Sequence, residues 1–251
     1  MPSFFMNPKV KFKIDARKDL QTFKSFIKEA GFDDGRNLEW AIFRRHPQLR
    51  KIVKKEGGVD YHFIAKYIAR IYKENARVAA ANFKVYEINW RRKENRFFDL
   101  VKDLFYGRQW PKGKYIAYST IWGMFPRFLE DKTFQIPIKY KSKRYINVII
   151  AHEMLHFMFY DYFRKNYSRY KNPESSFYVW HVSEIFNSLV QNSPAWLNVF
   201  VEKTMSYPEH EKIIAKLKKK HKDPALLKAN ELICDIRPFI KKLLRHESRL
   251  S

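Results

Sequence analysis

Cysteine and long apolar runs are the two features that this 251-residue sequence lacks most clearly. Its single cysteine, Cys234, excludes an internal disulfide and leaves no second cysteine to share a zinc ion. No stretch reaches the roughly 18 consecutive apolar residues of a membrane span, and the N-terminus has no apolar core of the kind found in a signal peptide. We therefore expect a protein of a reducing, cytoplasmic compartment that is not exported and has no membrane partner.

Acidic residues are also scarce. The chain has 26 Asp and Glu against 50 Lys and Arg, which gives a formal net charge of +24. A field of this sign attracts phosphate backbones and other anionic surfaces, although it does not specify which one. Nucleic acid is therefore a possible partner through the basic surface. The densest basic run, Lys216 to Lys222, is more typical of a solvated helix face.

Apolar residues make up 45% of the chain, enough to bury a full-sized core. Apolar positions recur at helical spacing from Asp15 to about Tyr106, which predicts three or four helices. Between Gly113 and Tyr140 the β-favouring residues predict two or three strands. The expected class is α+β, mostly helical, with a small antiparallel sheet. We expect a helical N-terminal region (1–110) and a second region (111–251), together forming one compact unit.

Two helices are predicted from long segments without glycine or proline. The first runs from Tyr145 to about Asn166, with Ser142 as its N-cap, and the second from Phe177 to Gln191. Beyond them the chain is predicted to be helical again, with breaks at Pro208, Pro224 and Pro238.

The segment that carries chemistry reads His-Glu-Met-Leu-His from His152 to His156. On a helix the two histidines project from one face, one turn apart, so that both imidazoles can bind one metal ion. Glu153 lies about 100 degrees round the helix, where it can reach a water beside the metal without ligating the metal itself. The pattern indicates a zinc site with Glu153 as general base.

A catalytic zinc ion needs a third protein ligand and an open position for water. The next predicted helix carries His181 and Glu184, which are three residues apart and share a face. Zinc accepts both residue types. We favour Glu184 as the third ligand and keep His181 as the alternative. If His181 is not a ligand, it is a candidate to stabilise the negatively charged oxygen (oxyanion) of the reaction intermediate, as are Tyr160, Tyr178 and Tyr207.

HEMLH followed one helix later by SEIFN resembles the gluzincin branch of the zincin metallopeptidases over about a quarter of the chain. The resemblance implies a zincin-like fold, Glu184 as third ligand, and Asn187 or Ser188 as the support of a ligating histidine. It also implies an edge strand before the metal-binding helix that holds an extended peptide. Thr133 to Tyr140 fits that place, and Pro137, which lacks a backbone donor, also favours a sheet edge there.

The expected activity is that of a zinc metallopeptidase, in which Glu153 assists the attack of water on a peptide or protein substrate. WHVSEIF also partly resembles small HExxH proteases that act on DNA-bound proteins, where His181 would be the third ligand. Two other interpretations remain open. One is an iron oxygenase with two histidines and a carboxylate, and the other is a basic scaffold with a closed structural zinc site.

Overall fold

The computed structural model describes residues 7–28, 32, 38–53, 58–221, 223 and 227–247. These residues form ten α-helices, two short 3-10 helices and four strands. The helices are α1 (Ala16–Lys28), α2 (Glu39–Arg45), α3 (Arg50–Val53), α4 (Tyr61–Arg91), α5 (Glu94–Leu104), α6 (Tyr145–Asn166), α7 (Phe177–Gln191), α8 (Pro194–Phe200), α9 (Glu211–Lys220) and α10 (Ala229–Glu247). The strands are β1 (Lys11–Lys13), β2 (Ile116–Thr120), β3 (Arg127–Phe128) and β4 (Thr133–Pro137), and the 3-10 helices are Pro47–Leu49 and Pro208–His210. The expected α+β class, mostly helical with a small sheet, is confirmed.

The chain divides into two compact units that alternate along the sequence. We call the first, formed by Lys9–Asn89 and Gly113–Ile146, the sheet unit. The second, the helical unit, contains Trp90–Lys112 and the described part of Asn147–Ser251. The last boundary falls in the first turn of α6, so the HEMLH segment belongs to the helical unit. Among the described helices, none has an apolar stretch of the length needed to span a membrane.

The sheet is mixed, with the strand order β1-β2-β4-β3. β2 pairs in parallel with both β1 and β4, and β3 alone is antiparallel to its neighbour. The expectation of an antiparallel sheet is therefore wrong. The reason is that β2 and β4 are not joined by a tight turn. The longer connection between them contains β3 and brings the chain back in the same direction.

The expected edge strand, Thr133 to Tyr140, contains β4, which ends at Pro137 and lies inside the sheet between β2 and β3. β2 pairs with it along its whole length and β3 pairs with Thr133 and Phe134, so the edge position expected for a substrate strand is contradicted. All five of its residues are buried. Proline is tolerated because Pro137 ends the strand, where no ladder donor is required of it. The next residue continues the bonding, since the backbone nitrogen of Ile138 donates to Thr120 O at 3.1 Å.

The core of the sheet unit includes Phe23 of α1, Ile64 and Ile68 of α4, and Trp122. A buried carboxyl group lies among these apolar side chains. Asp19 Oδ2 accepts hydrogen bonds from the backbone nitrogen of Ile121 at 3.0 Å and from the Tyr72 hydroxyl at 2.9 Å.

The other carboxylate oxygen of Asp19, Oδ1, accepts a hydrogen bond from Gln135 Nε2 at 2.8 Å, which links α1 to β4. Burial outweighs these hydrogen bonds and raises the pKa of Asp19 to about 7. The pattern of the sequence indicated neither this network nor β1, a three-residue strand without apolar alternation.

α6, whose first two residues belong to the sheet unit, and α7 of the helical unit have the bounds predicted from the sequence. Ser142 Oγ accepts from the backbone nitrogen of Tyr145 at 3.1 Å, which confirms the predicted cap. The predicted break at Pro238 is wrong, because this proline lies inside α10. The buried residues Ile233, Ile236 and Ile240 hold that helix in place and offset the backbone hydrogen bond lost at the proline. Pro208 begins a 3-10 helix, whereas Pro224 lies outside the described residues.

Candidate metal centre

α6 places His152 and His156 one helical turn apart on the same face. Their Nε2 atoms are 3.0 Å apart, and the ring centroids are separated by 4.7 Å. His156 is fully buried. The helical spacing that the sequence predicted therefore brings two imidazole nitrogens to one point.

Glu184 reaches the same point from α7. Its Oε2 atom lies 3.1 Å from His152 Nε2, and its Oε1 atom lies 3.3 Å from His156 Nε2. α7 begins at the Ser176 N-cap, whose side chain accepts from Val179 N, and nearly all of the helix is buried. Within the described part of the chain, this is the one cluster of three or more histidine, cysteine or acidic side chains that could hold a metal ion. Its ligand atoms all lie within 4.8 Å of one another.

The spacing of these atoms fits a zinc ion. In a tetrahedral zinc site with bonds of about 2.0 to 2.1 Å, neighbouring ligand atoms lie about 3.3 Å apart. The two Nε2 atoms are 3.0 Å apart, and each lies 3.1 or 3.3 Å from one of the two carboxylate oxygens of Glu184, which is close to that value. Two imidazoles and one carboxylate are also a ligand set that catalytic zinc sites use.

Gln191 determines which nitrogen of His152 carries the proton. The Gln191 amide donates from Nε2 to the carbonyl oxygen of Val148 at 3.1 Å, so its Oε1 atom faces the histidine. That oxygen lies 2.8 Å from His152 Nδ1 and can only accept, so Nδ1 is the donor. In the neutral ring, Nε2 then presents its lone pair to the cluster, as a metal ligand must.

Asn187, one of the two residues expected from the resemblance to support a ligating histidine, does not meet the ring of His152. Asn187 Nδ2 donates to the backbone oxygen of His152 at 3.1 Å, which joins α7 to α6 without touching the ring. The support of the ring comes from Gln191, two turns beyond Glu184. Its longer side chain reaches both Val148 O and the imidazole, and the sequence offered no pattern from which to predict this.

Without a metal, the charges and hydrogen bonds within the cluster shift the pKa values of His152 and Glu184. Burial opposes the charged form of His152, but the hydrogen bond and the charge of Glu184 outweigh it and raise the pKa of His152. Burial alone would raise the pKa of Glu184. The charges of His156 and His152, together with their hydrogen bonds to the carboxylate, instead hold the pKa of Glu184 well below its usual range.

Glu153 is buried next to His152 on α6, with 5% of its surface exposed. It is not part of the three-residue cluster, as expected for a residue that points about 100 degrees away from His152. Its negative charge is one of the influences that raise the pKa of His152. Glu153 therefore lies close enough to act on the cluster electrostatically without being one of its ligand atoms.

His181 is not part of the cluster either. Its Nδ1 atom lies 2.6 Å from Nε2 of His210, and both rings are buried. Burial lowers the pKa of His210, against the opposing charges of Glu209 and Glu184. Sequence reasoning missed His210, because an isolated histidine 29 residues further along the chain carries no spacing signal.

The three tyrosines considered as oxyanion donors have different surroundings. Tyr207 packs its ring against His210 at 5.6 Å, Tyr160 places its hydroxyl 3.4 Å from Ser183 Oγ, and Tyr178 donates to Arg237 O at 3.5 Å. The Tyr207 ring thus contacts the partner of His181, whereas the Tyr160 ring lies 6.1 Å from the ring of His156.

The comparisons with known families, curated proteins and solved structures gave no match.

Proposed function

We propose that the protein is a zinc-dependent hydrolase of the gluzincin type, with a zincin-like fold, that cleaves peptide bonds in a peptide or protein substrate. The observation that carries the proposal is the convergence of His152, His156 and Glu184 on one point beside the buried Glu153. A cytoplasmic location belongs to the same proposal, because Cys234 has no second cysteine to pair with.

The proposed role of each residue follows from the chemistry of its side chain. His152, His156 and Glu184 would hold zinc, which lowers the pKa of water and polarises the carbonyl group of the substrate. Glu153 takes the proton from the attacking water and passes it to the leaving amine. Gln191 keeps the proton of His152 on Nδ1, and the Asn187 side chain fixes the backbone of the same residue.

His181 is proposed to stabilise the oxyanion. To donate from Nε2 while neutral, His181 must accept a hydrogen bond at Nδ1. His210 Nε2 lies 2.6 Å from that atom and would be the donor in this tautomer. The same contact speaks against the alternative in which His181 is the third ligand of a nucleic-acid-associated protease. In that alternative the histidine ring would have to leave its partner and replace Glu184.

Elemental analysis combined with a peptide-library cleavage assay tests the proposal. His152→Ala and Glu184→Ala should lose zinc, whereas Glu153→Gln should retain zinc and lose about two or more orders of magnitude in turnover. His181→Asn should retain zinc and lose turnover. Exposed residues of the same types provide the matched controls, His62→Ala and Glu211→Gln, which should resemble the wild type.

Each competing interpretation predicts a different pattern. Loss of zinc in His181→Asn with retention in Glu184→Ala would assign the ligand role to His181. A closed structural zinc site predicts no cleavage by the wild type and unfolding on chelation. Iron bound in place of zinc would contradict the hydrolytic assignment.

A further inference from the structure

The exposed face of α4 carries a row of positive charge. Five basic side chains on this helix are exposed and lie in the sheet unit: Lys66, Arg70, Lys73, Arg77 and Lys84. At 100 degrees per residue they fall within an arc of about 60 degrees, opposite the buried side of the helix. From first to last they extend for about 27 Å at 1.5 Å per residue. We call these five residues the α4 stripe.

The charges of the α4 stripe repel one another. Lys66 and Arg70, Arg70 and Lys73, and Lys73 and Arg77 stand three or four residues apart, where like charges each destabilise a helix by about 0.2 to 0.5 kcal/mol. Two acidic residues of the same helix stand beside the stripe: Glu87 lies three residues after Lys84, and Glu74 pairs with Arg70 at 3.8 Å. Both members of that pair are exposed, so the attraction is weak. A bound polyanion would remove the repulsion.

The remaining exposed positions of this face favour a phosphate backbone over a lipid surface. Exposed alanines flank the α4 stripe at Ala69, Ala76, Ala80 and Ala81, and their small side chains let a long polymer approach the helix. A helix that inserts into a membrane surface instead presents a continuous apolar face. Here the exposed large apolar residues of α4, Phe63, Val78 and Ile88, are ten or more residues apart and do not form a continuous face.

We propose that the α4 stripe binds the phosphate backbone of a nucleic acid. Double-stranded DNA carries one negative charge per ~1.7 Å of its axis, so the length of the stripe faces enough phosphates to engage all five side chains. The recognition is of charge and not of base sequence, because long, flexible cationic side chains contact phosphates. The proposal is independent of the hydrolase and of any metal.

The test measures binding of the full chain to a fluorescein-labelled 30-base-pair DNA duplex by anisotropy, over a series of salt concentrations. In the first variant the five residues of the α4 stripe are changed to glutamine. The matched control changes five exposed lysines of the helical unit to glutamine: Lys212, Lys216, Lys219, Lys241 and Lys242. Both variants lose the same net charge. Circular dichroism checks that each variant is folded.

The stripe variant should bind at least about tenfold more weakly at moderate salt, and its plot of log affinity against log salt should be shallower by up to about 4.5, or 0.9 per phosphate contact. The control should lose much less, and changing Lys66, Lys73 and Lys84 to arginine should preserve binding. Equal losses in both five-site variants would overturn the proposal, because net charge alone would then explain them. Binding of the wild type to phosphatidylserine vesicles but not to the duplex would also overturn it.

Discussion

The Gln191 side chain accepts a hydrogen bond from His152 Nδ1 at 2.8 Å and donates one to Val148 O at 3.1 Å. The hydrogen-bond partner of His152 Nδ1 is therefore a neutral amide, whereas many metal-binding histidines donate this hydrogen bond to a carboxylate. An amide fixes the orientation of the ring and the position of its proton but adds no negative charge. We expect this partner to determine how well His152 presents Nε2 to a metal.

Gln191→Leu should weaken zinc binding by about 10- to 100-fold, because the ring loses the hydrogen bond that fixes its tautomer. Competition against a fluorescent zinc chelator measures the change. Leu189→Met is the matched control, since Leu189 is also buried but projects from the opposite side of α7. Equal zinc affinity in Gln191→Leu and the wild type would show that the amide does not position the ligand.

Zinc affinity should fall as the pH is lowered. Without metal, Glu184 raises the pKa of His152 against the effect of burial, so the cluster retains a proton that zinc has to displace. Below the raised pKa, the apparent dissociation constant should increase by up to about tenfold per pH unit, and above it the affinity should level off. Titrations between pH 5.5 and 8.5 give the dependence.

Proton release gives an independent measure of the same linkage. Calorimetric titration in two buffers of different ionisation enthalpy should show protons released on binding near pH 6 and fewer at pH 8.5. A pH-independent affinity without proton release would contradict the protonation described for the metal-free cluster.

Asp19 should make the sheet unit less stable as the pH rises. Burial raises its pKa from the ordinary value of 3.8 to about 7, so its favourable contribution is complete below pH 3.8 and is lost as the pH rises through 7. Between pH 5 and 8 the loss amounts to about 2 to 3 kcal/mol of unfolding free energy. Urea denaturation followed by tryptophan fluorescence measures it, since Trp122 is buried in this unit.

Asp19→Asn should flatten this dependence, because the amide does not titrate in that range. Asp131→Asn is the control, since the Asp131 side chain is 67% exposed and pairs with Lys18 only at 3.8 Å. If the Asp19→Asn curve ran parallel to that of the wild type between pH 5 and 8, the titration of another group would have to explain the slope.

The sequence by itself determined the two helices of the site and the histidine pair. The bounds of α6 and α7 follow from segments without glycine or proline, and the meeting of His152 with His156 follows from the helical period. Both depend on residues within a few positions of one another, whose geometry is set by backbone hydrogen bonds inside one element. Local order of this kind can be inferred from a chain without knowing its neighbours.

Tertiary structure alone decided which residues of different elements meet. His181 and Glu184 share a face of α7, yet Glu184 meets the histidine pair and His181 meets His210. The interior place of β4 likewise depends on which strands pair. Such contacts depend on how elements far apart in the sequence pack to bury their apolar faces. The spacing of apolar residues within one element does not give the orientation of that element against its neighbours.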